Sequence, residues 1–433
     1  MWYGEIEDRD PGIDYANFIT SRFPAEPNAY FSLLKTPATT PSGKAKDAYH
    51  FVYDSETWYQ LSQGGTSGGY GMEIAVLAGS PPRDVRVAYV HAGSPADLAG
   101  IARGAKIVDV DGASVFDGDP DVLNAGLFPE LDETHSFGIL PLGSGVVEVV
   151  ELAATEVALE PVQAAQILAT PTGNVGYLAF HDHIAPAEAD LYSAFSDFVQ
   201  QGINDLVIDL RYNGGGYLAI ASQLAYMVAG DQTANKTFEV LQFNDKYPNT
   251  NPVTGQPIQP MPFYPITVGF SDLPVEQALP SVGLSRVFVL TGSGTCSASE
   301  ALINGLRGVG VEVIQIGKTT CGKPYGMYPT ENCGSTYFTL QFKGVNALGF
   351  GDYPDGFVPS EQPEAGRLDM VQGCVVDDDF GHVFGDVNEA RLAAALYYRD
   401  NGFCPTNPNA SPLLRTPEPQ MLKSAARETK WMR

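Results

Sequence analysis

The sequence predicts a protein of the mixed α/β class, and three features carry this prediction. Arg286–Thr291 is a short, apolar, β-branched run typical of a buried strand. Ser297–Leu306 then has apolar residues at helical spacing, and Val311–Ile316 returns as a second strand. Leu206–Leu218 has the same buried-strand pattern and contains three glycines, while residues 64–160 are rich in strand patterns. Strands that alternate with helices indicate an α/β core, here preceded by a separate β-rich domain.

Composition limits the choice of partners. The 433 residues suggest two or three domains, and a hydrophobic content of 44% is enough for ordinary cores. The formal net charge is −26, from 51 acidic and 25 basic side chains. Such a charge repels nucleic-acid phosphates and anionic lipid headgroups, so we expect neither as a partner. No run of the sequence approaches the 18 apolar residues of a membrane span.

Residues 1–63 are predicted to form an amino-terminal helical segment without a chemical role. Tyr15–Phe23 and Tyr30–Leu34 carry helical signals, and Thr36–Gly43 interrupts them as a loop. The first ten residues have neither the basic nor the apolar region of a signal peptide. Either the protein is cytosolic or a signal segment has been removed, and the cysteine pattern described below favours the second interpretation.

Residues 64–160 form the predicted β-rich domain. A glycine-rich loop, GGTSGGYG, opens onto a strand, and VRVAYVHAGSPADLAGIARGAKIVDVDG follows with a strand, turn, short helix and strand. This pattern resembles the PDZ domain that C-terminal processing (tail-specific) peptidases carry, although the family often has an acidic residue where this chain has Ala105. The matching residues are Gly93, Ser94, Pro95, Ala96, Ala99, Gly100, Ile101, Gly104, Ile107, Val110 and Gly112.

The resemblance implies that this domain binds an extended peptide at an open sheet edge, with clustered backbone N–H groups holding the terminal carboxylate. The implied carboxylate loop contains Gly69, Tyr70, Gly71 and Met72, just before a strand at Glu73–Leu77. The alternative is a small β-rich domain that only packs. Three nearby aspartates at 117, 119 and 121 lack the glycine and distal glutamate of a calcium loop, so a solvated acidic turn is favoured.

Residues 161–404 are the predicted core domain. NVGYLAFHDHI is a strand, Ala185–Gln201 has helical periodicity, and LVIDLRYNGGGYL is a buried strand that leads into a glycine loop. Glycine is required where a backbone adopts positive φ or approaches a ligand closely. The loop resembles the I-D-L-R-x-N-x-G-G motif of the same peptidases, and we expect Asp209 and Arg211 to fix the loop rather than take part in chemistry. Asp231–Leu284 is proline-rich and irregular, and we interpret it as an insertion beside the site.

Ser297 and Lys323 are the predicted catalytic residues. Ser297 lies on a strand-to-helix turn, where backbone N–H groups and the helix dipole stabilise an oxyanion. Lys323 lies in a glycine-flanked loop, and an apolar setting can hold a lysine neutral so that it accepts a proton. The sequences TCSASE and GKTTCGK resemble the nucleophile and base motifs of the family's Ser–Lys dyad. The 26 positions between the two residues exceed the family spacing by one.

The resemblance implies an oxyanion hole formed by the N–H of Ala298 and by that of Gly215 or Gly216. Alone, each motif favours a simpler alternative, in which Ser297 caps a helix and Lys323 is a solvated loop residue. Together and in the family's order, the motifs favour the dyad. One departure is Met327, where many relatives have a glutamine that orients the lysine, so Tyr325, Thr320 or a backbone carbonyl must take that role.

Three histidines compete with this assignment. His181 or His183 would replace Lys323 as the base if it came within hydrogen-bond reach of Ser297, but an isolated histidine is more often structural. Asp377–Asp379 form an acidic stretch with His382 nearby, and metal binding there is the alternative to a stretch without a chemical role. We expect neither a metal nor an organic cofactor.

The five cysteines suggest disulfides. Cys321 and Cys333 bracket a short loop, and Cys374 and Cys404 bracket a helix-like segment, so we predict two disulfides and an unpaired Cys296. This arrangement implies an oxidising compartment, periplasmic or extracellular, whereas five reduced core cysteines are the alternative. Residues 405–433 are low in complexity and are predicted to be a flexible tail.

The resemblance as a whole implies a crotonase/ClpP-like core of repeated ββα units and a serine peptidase acting on proteins or peptides. Two alternatives remain open. One is a PDZ-containing binding protein without catalysis, and the other is a crotonase-like enzyme that transfers acyl groups from thioesters. Oligomeric state does not follow from the sequence.

Overall fold

The fold is that of a computed structural model, which describes residues 31, 38–39, 42–45, 48–406, 418–422 and, for the backbone, 430–431. Apart from Phe31, which is helical, the two predicted amino-terminal helical segments lie outside these residues.

Strands account for most of the regular structure. In chain order they are β1 (Phe51–Asp54), β2 (Thr66–Gly69), β3 (Met72–Ala78), β4 (Asp84–Val90), β5 (Lys106–Val110), β6 (Ala113–Ser114), β7 (Thr134–Leu140), β8 (Glu148–Ala153), β9 (Thr155–Ala158), β10 (Val162–Thr170), β11 (Gly173–Phe180), β12 (Asp205–Asp209), β13 (Gly216–Tyr217), β14 (Thr237–Gln242), β15 (Met261–Pro262), β16 (Arg286–Thr291), β17 (Glu312–Gly317), β18 (Tyr325–Gly326), β19 (Thr330–Asn332), β20 (Ser335–Phe338), β21 (Phe342–Val345), β22 (Val358–Ser360), β23 (Met370–Val375), β24 (Gln420–Met421) and β25 (Lys430–Trp431).

The α-helices are α1 (Ser55–Tyr59), α2 (Pro95–Leu98), α3 (Pro120–Leu127), α4 (Ala187–Gln201), α5 (Leu218–Ala229), α6 (Ala298–Gly308) and α7 (Ala390–Asn401). A π-helical turn at Gln60–Gly64 follows α1, and a 3₁₀ turn at Gly230–Thr233 follows α5.

The β-rich domain is an antiparallel sheet in the order β24-β3-β4-β5-β7-β8, and β2 pairs with β9 beside it. The sheet covers a hydrophobic core that includes Val87, Ile107 and Phe137. Helix α2 begins where the Ser94 side chain accepts the N–H of Asp97, and Pro95 occupies its first turn. The GSPA motif therefore encodes a helix start.

The core domain is a seven-stranded sheet in the order β10-β11-β12-β16-β17-β23-β22. Only the β10–β11 pair is antiparallel, and the remaining neighbours are parallel. Successive residues of the strands face opposite sides: Val207 packs toward α7, and Ile208 packs toward α4, α5 and α6. Parallel strands covered on both faces read as continuous apolar runs, which explains the sequence of β12 and β16. The predicted mixed α/β class with a β-rich domain is confirmed.

Sheet order brings three loops together. Strands β12, β16 and β17 are parallel neighbours, so their carboxyl ends lie at the same edge. The loop after β12 contains the glycine motif, the turn after β16 contains Ser297, and the loop after β17 contains Lys323. Residues separated by more than one hundred positions therefore meet at one edge of the sheet, where α/β proteins place ligands.

Part of the predicted insertion, residues 231–284, is regular. Strand β14 lies between β15 and β21 in a four-stranded sheet, and β21 also pairs with β18, which follows Lys323. The segment is more regular than predicted. Strand β14 pairs with β21, which is distant in the sequence, and such a pairing leaves no local pattern. The insertion therefore supports the segment that follows Lys323.

The segment predicted to be a flexible tail forms two short strands where it is described. Strand β24 pairs with β3, and β25 pairs in parallel with β13. Each of these strands pairs with backbone groups at a sheet edge or in a loop. Composition alone does not predict such a partner. Within the described residues, no helix has both the length and the apolar character needed to cross a bilayer.

Candidate active site

Ser297 occupies an unusual backbone conformation at the start of α6. Its φ is 60° and its ψ is −109°, and its side chain is fully buried. A residue other than glycine with these angles costs about 1–3 kcal/mol, so the surrounding structure must hold it in place. A strand–turn–helix corner of this kind is the geometry that presents a serine nucleophile at the edge of a sheet.

Glu300 connects the serine turn to the lysine loop. One oxygen, Oε2, accepts the backbone N–H of Ser297 at 3.0 Å and the backbone N–H of Lys323 at 2.8 Å. The other oxygen, Oε1, accepts the N–H of Gly322 at 2.8 Å and the hydroxyl of Thr320. Burial raises the pKa of this carboxyl, although the four hydrogen bonds oppose the rise. The structure thus brings Ser297 and Lys323 together through one carboxylate.

Sequence reasoning missed the role of Glu300. A glutamate three residues after a serine is a capping pattern, and this signal is present in SASE. The pattern predicts the bond to Ser297 but not the bonds to the loop after β17.

Lys323 is buried, with 1% of its surface exposed. Its Nζ lies 4.8 Å from the centre of the Tyr49 ring. Of the groups expected to orient it, Thr320 is hydrogen-bonded to Glu300. Met327, at the position where many relatives have a glutamine, is fully buried in the hydrophobic core. Tyr49 comes from the segment for which we predicted no chemical role, and its ring lies beside the lysine amine. No motif in the sequence marks this tyrosine.

The disulfides differ from the prediction. Cys296 is bonded to Cys321, and Cys374 to Cys404, while Cys333 is unpaired and exposed. The prediction of a Cys321–Cys333 bond and an unpaired Cys296 was therefore wrong, although the second bond is confirmed. Sequence spacing gave the wrong cysteine pairing. Strands β16 and β17 are neighbours in the sheet, so the residues that follow them lie side by side.

The first disulfide includes two residues of a group that could otherwise hold a metal ion. Ligand atoms of Cys296, Glu300 and Cys321 lie within 4.8 Å of one another. The two sulfurs are bonded to each other, so neither is a thiolate that could bind a cation.

The glycine loop is hydrogen-bonded to the serine turn, since the carbonyl of Asn213 accepts the N–H of Cys296 at 3.0 Å. The Asn213 side chain accepts the N–H of Gly215 at 2.9 Å, so that N–H already has a partner. Gly216 has a φ of 134°, and a Cβ there would lie 2.4 Å from the carbonyl oxygen of His183. Ala298, the other predicted oxyanion donor, is buried at the first position of α6.

His183 is fully buried beside this loop. Its Nδ1 lies 2.9 Å from the Oδ1 of Asn213, whose amide nitrogen donates to the carbonyl of Phe180. Because Oδ1 is then the acceptor, Nδ1 of His183 carries a proton. Burial lowers the pKa of His183 to about 4, so the ring is neutral at neutral pH. His181 is also buried, packed among the rings of Tyr89 and Phe384.

The acidic stretch after β23 has a structural role. Asp378 lies 2.7 Å from Arg211 of the glycine loop and 3.0 Å from Arg103 of the β-rich domain. Burial alone would raise the pKa of Asp378, but the nearby arginines outweigh it and hold that pKa far below its usual range. Asp379 is paired with His382, and Asp377 with Lys318. The patch thus links the two domains at the glycine loop.

The loop predicted to bind a carboxylate precedes β3. The hydroxyl of Tyr70 donates to the carbonyl of Gly126 at 3.0 Å, and its ring packs against Phe137. Gly71 is required by crowding, since a Cβ there would lie 2.2 Å from the Cβ of Ser94. Gly69 and Met72 flank this turn, and β3 follows, with β24 paired to its outer edge.

The architecture is a largely parallel α/β core joined to an antiparallel β-rich domain. Residues 174–341 match peptidase family S41, and residues 86–125 match the PDZ domain. Over these residues the chain is similar to peptidase family S41 and to the PDZ domain.

Homologues of this chain are named C-terminal processing proteases. Carboxyl-terminal-processing peptidase 3, chloroplastic, of Arabidopsis thaliana is 25% identical over 316 residues, which cover 70% of this chain and 56% of that protein. Carboxy-terminal processing protease CtpB of Bacillus subtilis is 25% identical over 342 residues, covering 76% and 64%. The chain therefore spans less than two thirds of the length of these relatives.

A solved structure has the same fold. It is a putative S41 protease from Bacteroides fragilis, with a TM-score of 0.62 and 24% identity, covering 90% of this chain and 94% of that one.

Proposed function

We propose that the protein is a serine endopeptidase that cleaves protein substrates near their C-termini, with Ser297 as nucleophile and Lys323 as general base. The observation that carries the proposal is the shared carboxylate of Glu300, which accepts the backbone N–H groups of both residues. Positioning of this kind can account for a large part of a catalytic barrier. The names of the relatives and the attached PDZ domain support the preference for C-terminal segments.

The reaction would proceed in two acyl-transfer steps. Ser297 Oγ attacks the scissile carbonyl carbon while its proton passes to a neutral Lys323 Nζ. The tetrahedral intermediate collapses as the C–N bond breaks, and Nζ returns the proton to the leaving amine. Water then attacks the ester with Lys323 again as the base, which frees the new carboxyl group and restores Ser297.

Two backbone N–H groups would stabilise the oxyanion, one from Ala298 and one from the glycine loop. Of the two glycines predicted there, we favour Gly216, because the N–H of Gly215 donates to Asn213. Burial of Lys323 supports its proposed role, since a dry environment disfavours the charged form of an amine.

The remaining parts of the proposal concern binding and compartment. A substrate carboxylate would bind at the PDZ loop of Gly69, Tyr70, Gly71 and Met72, while the adjacent chain lies along β3. The two disulfides support a periplasmic or extracellular location. The parallel core sheet with flanking helices supports a crotonase/ClpP-like arrangement of ββα units.

The test is cleavage of a peptide library by the wild type, Ser297→Ala and Lys323→Ala. We expect both variants to fold and to lose about 100-fold or more in rate, as general-base catalysis requires. Lys318→Ala is the matched control, since Lys318 lies at the start of the same loop but is paired with Asp377. A serine-reactive probe should label the wild type and not Ser297→Ala.

His183 is the competing base, and the same experiment separates it from Lys323. If Lys323→Ala cleaves at near the wild-type rate while His183→Gln does not, the lysine is not the base. If the probe labels neither protein and no peptide is cut, the chain is a binding protein with a peptidase fold.

A further inference from the structure

We propose that the chain's own C-terminal tail is a ligand of its PDZ domain and lies along the peptide path to Ser297, in competition with substrates. This inference rests on the proposed function, because the path to Ser297 is a substrate path only if the protein is a peptidase. It concerns two segments, Glu418–Leu422 and the final strand β25.

The first segment lies where an extended ligand would lie. Gln420 is opposite Val76 and Met421 is opposite Ala75, in an antiparallel pairing on the outer edge of β3. The N–H of Leu422 donates to the carbonyl of Ile74 at 3.0 Å. The tail therefore runs toward Met72 and the proposed carboxylate loop. Strand addition to a sheet edge in this direction is the way in which a PDZ domain takes a peptide.

Side chains anchor this segment in the manner of a ligand. Leu422 packs, half-buried, against the hydrophobic cluster that contains Tyr70 and Met72. Met421 faces the other way and is buried in a cluster with Tyr89 of the PDZ domain and Tyr212 of the glycine loop. Alternate side chains therefore fill pockets on both sides, as expected for a bound strand.

The segment also contacts the serine turn. Glu418 forms an ion pair with the buried Arg391 at 2.6 Å, and its Oε2 accepts the N–H of Ser293 at 3.3 Å. A Cβ on Gly294 would lie 3.9 Å from the Cγ of Met421. Ser293 and Gly294 lie in the turn that leads from β16 to Ser297, so residues 418–421 bridge the PDZ domain and this turn.

The final strand lies beside the glycine loop and the segment that follows Lys323. The backbone of Lys430 is opposite Gly216, and that of Trp431 is opposite Tyr217, in a parallel pairing. The same two residues lie against β18, which begins two residues after Lys323. A substrate backbone would need the space between the glycine loop and the lysine loop. The tail occupies that space, so a substrate must displace it.

Displacement has a measurable consequence. A tethered ligand acts at a high effective concentration, and the apparent affinity for a competing peptide falls with the fraction of sites left open. Shortening the tail should therefore strengthen peptide binding, although it removes contacts from the protein.

The experiment measures binding in the Ser297→Ala background, which separates binding from hydrolysis. The probe is a fluorescent peptide with the sequence of residues 416–433. Its affinity is measured by anisotropy for the full chain, for a chain that ends at Leu422 and for a chain that ends at Pro419. The last retains Glu418 and its ion pair with Arg391, which protects the fold.

We expect the chain that ends at Pro419 to bind the probe about tenfold or more tightly than the full chain. The chain that ends at Leu422 should fall between them, because it retains β24 and lacks β25. Equal affinity of all three chains would overturn the proposal.

Point variants of the full chain give a second test without truncation. Leu422→Asp should release the tail and raise the affinity for the probe, because it places a charge against an apolar cluster. Gln420→Asp is the matched control, since Gln420 is exposed on the same strand and its substitution should change nothing. The same affinity in both variants would contradict the proposal.

Failure of this inference is distinguishable from failure of the proposed function. If truncation strengthens binding but no chain with Ser297 intact cuts any peptide, the tail is a ligand and the peptidase assignment falls. If the intact protein cuts peptides and truncation changes neither binding nor rate, the peptidase assignment stands and the tail inference falls.

Discussion

The disulfide between Cys296 and Cys321, with its Cα atoms 5.1 Å apart, joins the residue before Ser297 to a residue two positions before Lys323. It therefore spans the same two loops that Glu300 joins by hydrogen bonds. Without the bond, each loop keeps its strand but loses one constraint on its position relative to the other.

We predict that the double variant Cys296→Ala/Cys321→Ala lowers kcat by about 10- to 100-fold, because displacements near 1 Å are enough for such losses. Peptide hydrolysis measures the effect. The matched control is Cys374→Ala/Cys404→Ala, which removes the other disulfide and should lower the free energy of unfolding by about 2–4 kcal/mol while leaving kcat nearly unchanged. Equal losses of kcat in both double variants would indicate a general effect on folding.

Glu300→Gln is predicted to reduce kcat more than it changes KM. A neutral amide keeps one acceptor oxygen in place of two, so some of the four donors around it lose their partner. Each buried donor left unsatisfied costs about 1–3 kcal/mol. We expect a fall in kcat of about 100-fold, together with lower stability, measured by peptide hydrolysis and urea unfolding.

The control for Glu300 is Glu312→Gln, because Glu312 is exposed on β17. This variant should match the wild type in both measurements. Wild-type kcat in Glu300→Gln would show that the shared carboxylate does not position the serine and the lysine.

Arg103→Met is predicted to be strongly destabilising. It removes one of several partners of the buried Asp378, which also lies 2.7 Å from Arg211 and accepts the hydroxyl of Tyr212. Breaking a buried ion pair from one side typically costs about 3–5 kcal/mol. Arg86→Met is the comparison, since Arg86 is partly exposed, is paired with Asp84 and lies 6.0 Å from the centre of the Phe380 ring, and it should cost about 0–1 kcal/mol. Urea unfolding of both variants decides the matter, and similar small losses would contradict the prediction.

Because His183 is buried, we expect the protein to become less stable in acid. Its pKa in the folded protein is about 4 because the ring is buried, whereas an unfolded histidine titrates near 6.5. As the pH falls below about 6.5, the unfolded chain gains a proton that the folded chain does not take up, so the free energy of unfolding decreases until about pH 4. The total loss from this group is about 3 kcal/mol.

His183→Gln should flatten the pH dependence of unfolding between pH 6.5 and 4. His382→Gln is the control with the opposite sign: Asp379 raises the pKa of His382, so that group stabilises the fold at low pH and loses its effect as the pH rises. An unchanged acid dependence in His183→Gln would mean that the buried ring is not its source.

Sequence reasoning located the right segments because their signals are local. A strand of β-branched residues, a glycine turn and a helix start are each encoded within a few positions, as in β16 and α6. The family motifs then identified a PDZ domain and a peptidase core. The proximity of Ser297 and Lys323 was inferred from those motifs, and the parallel order of β16 and β17 supplies its physical cause.

The missed features all depend on partners that are distant in sequence. Tyr49 reaches Lys323 from a separate segment, and Cys296 pairs with Cys321 because of sheet order rather than spacing. Strand β24 joins a sheet whose other strands lie more than 260 positions earlier in the chain. Local patterns carry no information on such contacts, since each end looks like an ordinary loop or tail.

The pairing of the cysteines leaves Cys333 as a single reactive thiol at the exposed turn between β19 and β20. A maleimide dye would therefore attach at one place without any mutagenesis. Strand β20 also pairs with β1, which begins two residues after Tyr49, so such a dye would report on the surroundings of the strand that follows Tyr49. The protein thus carries its own site for attaching a dye close to that strand, with no added cysteine.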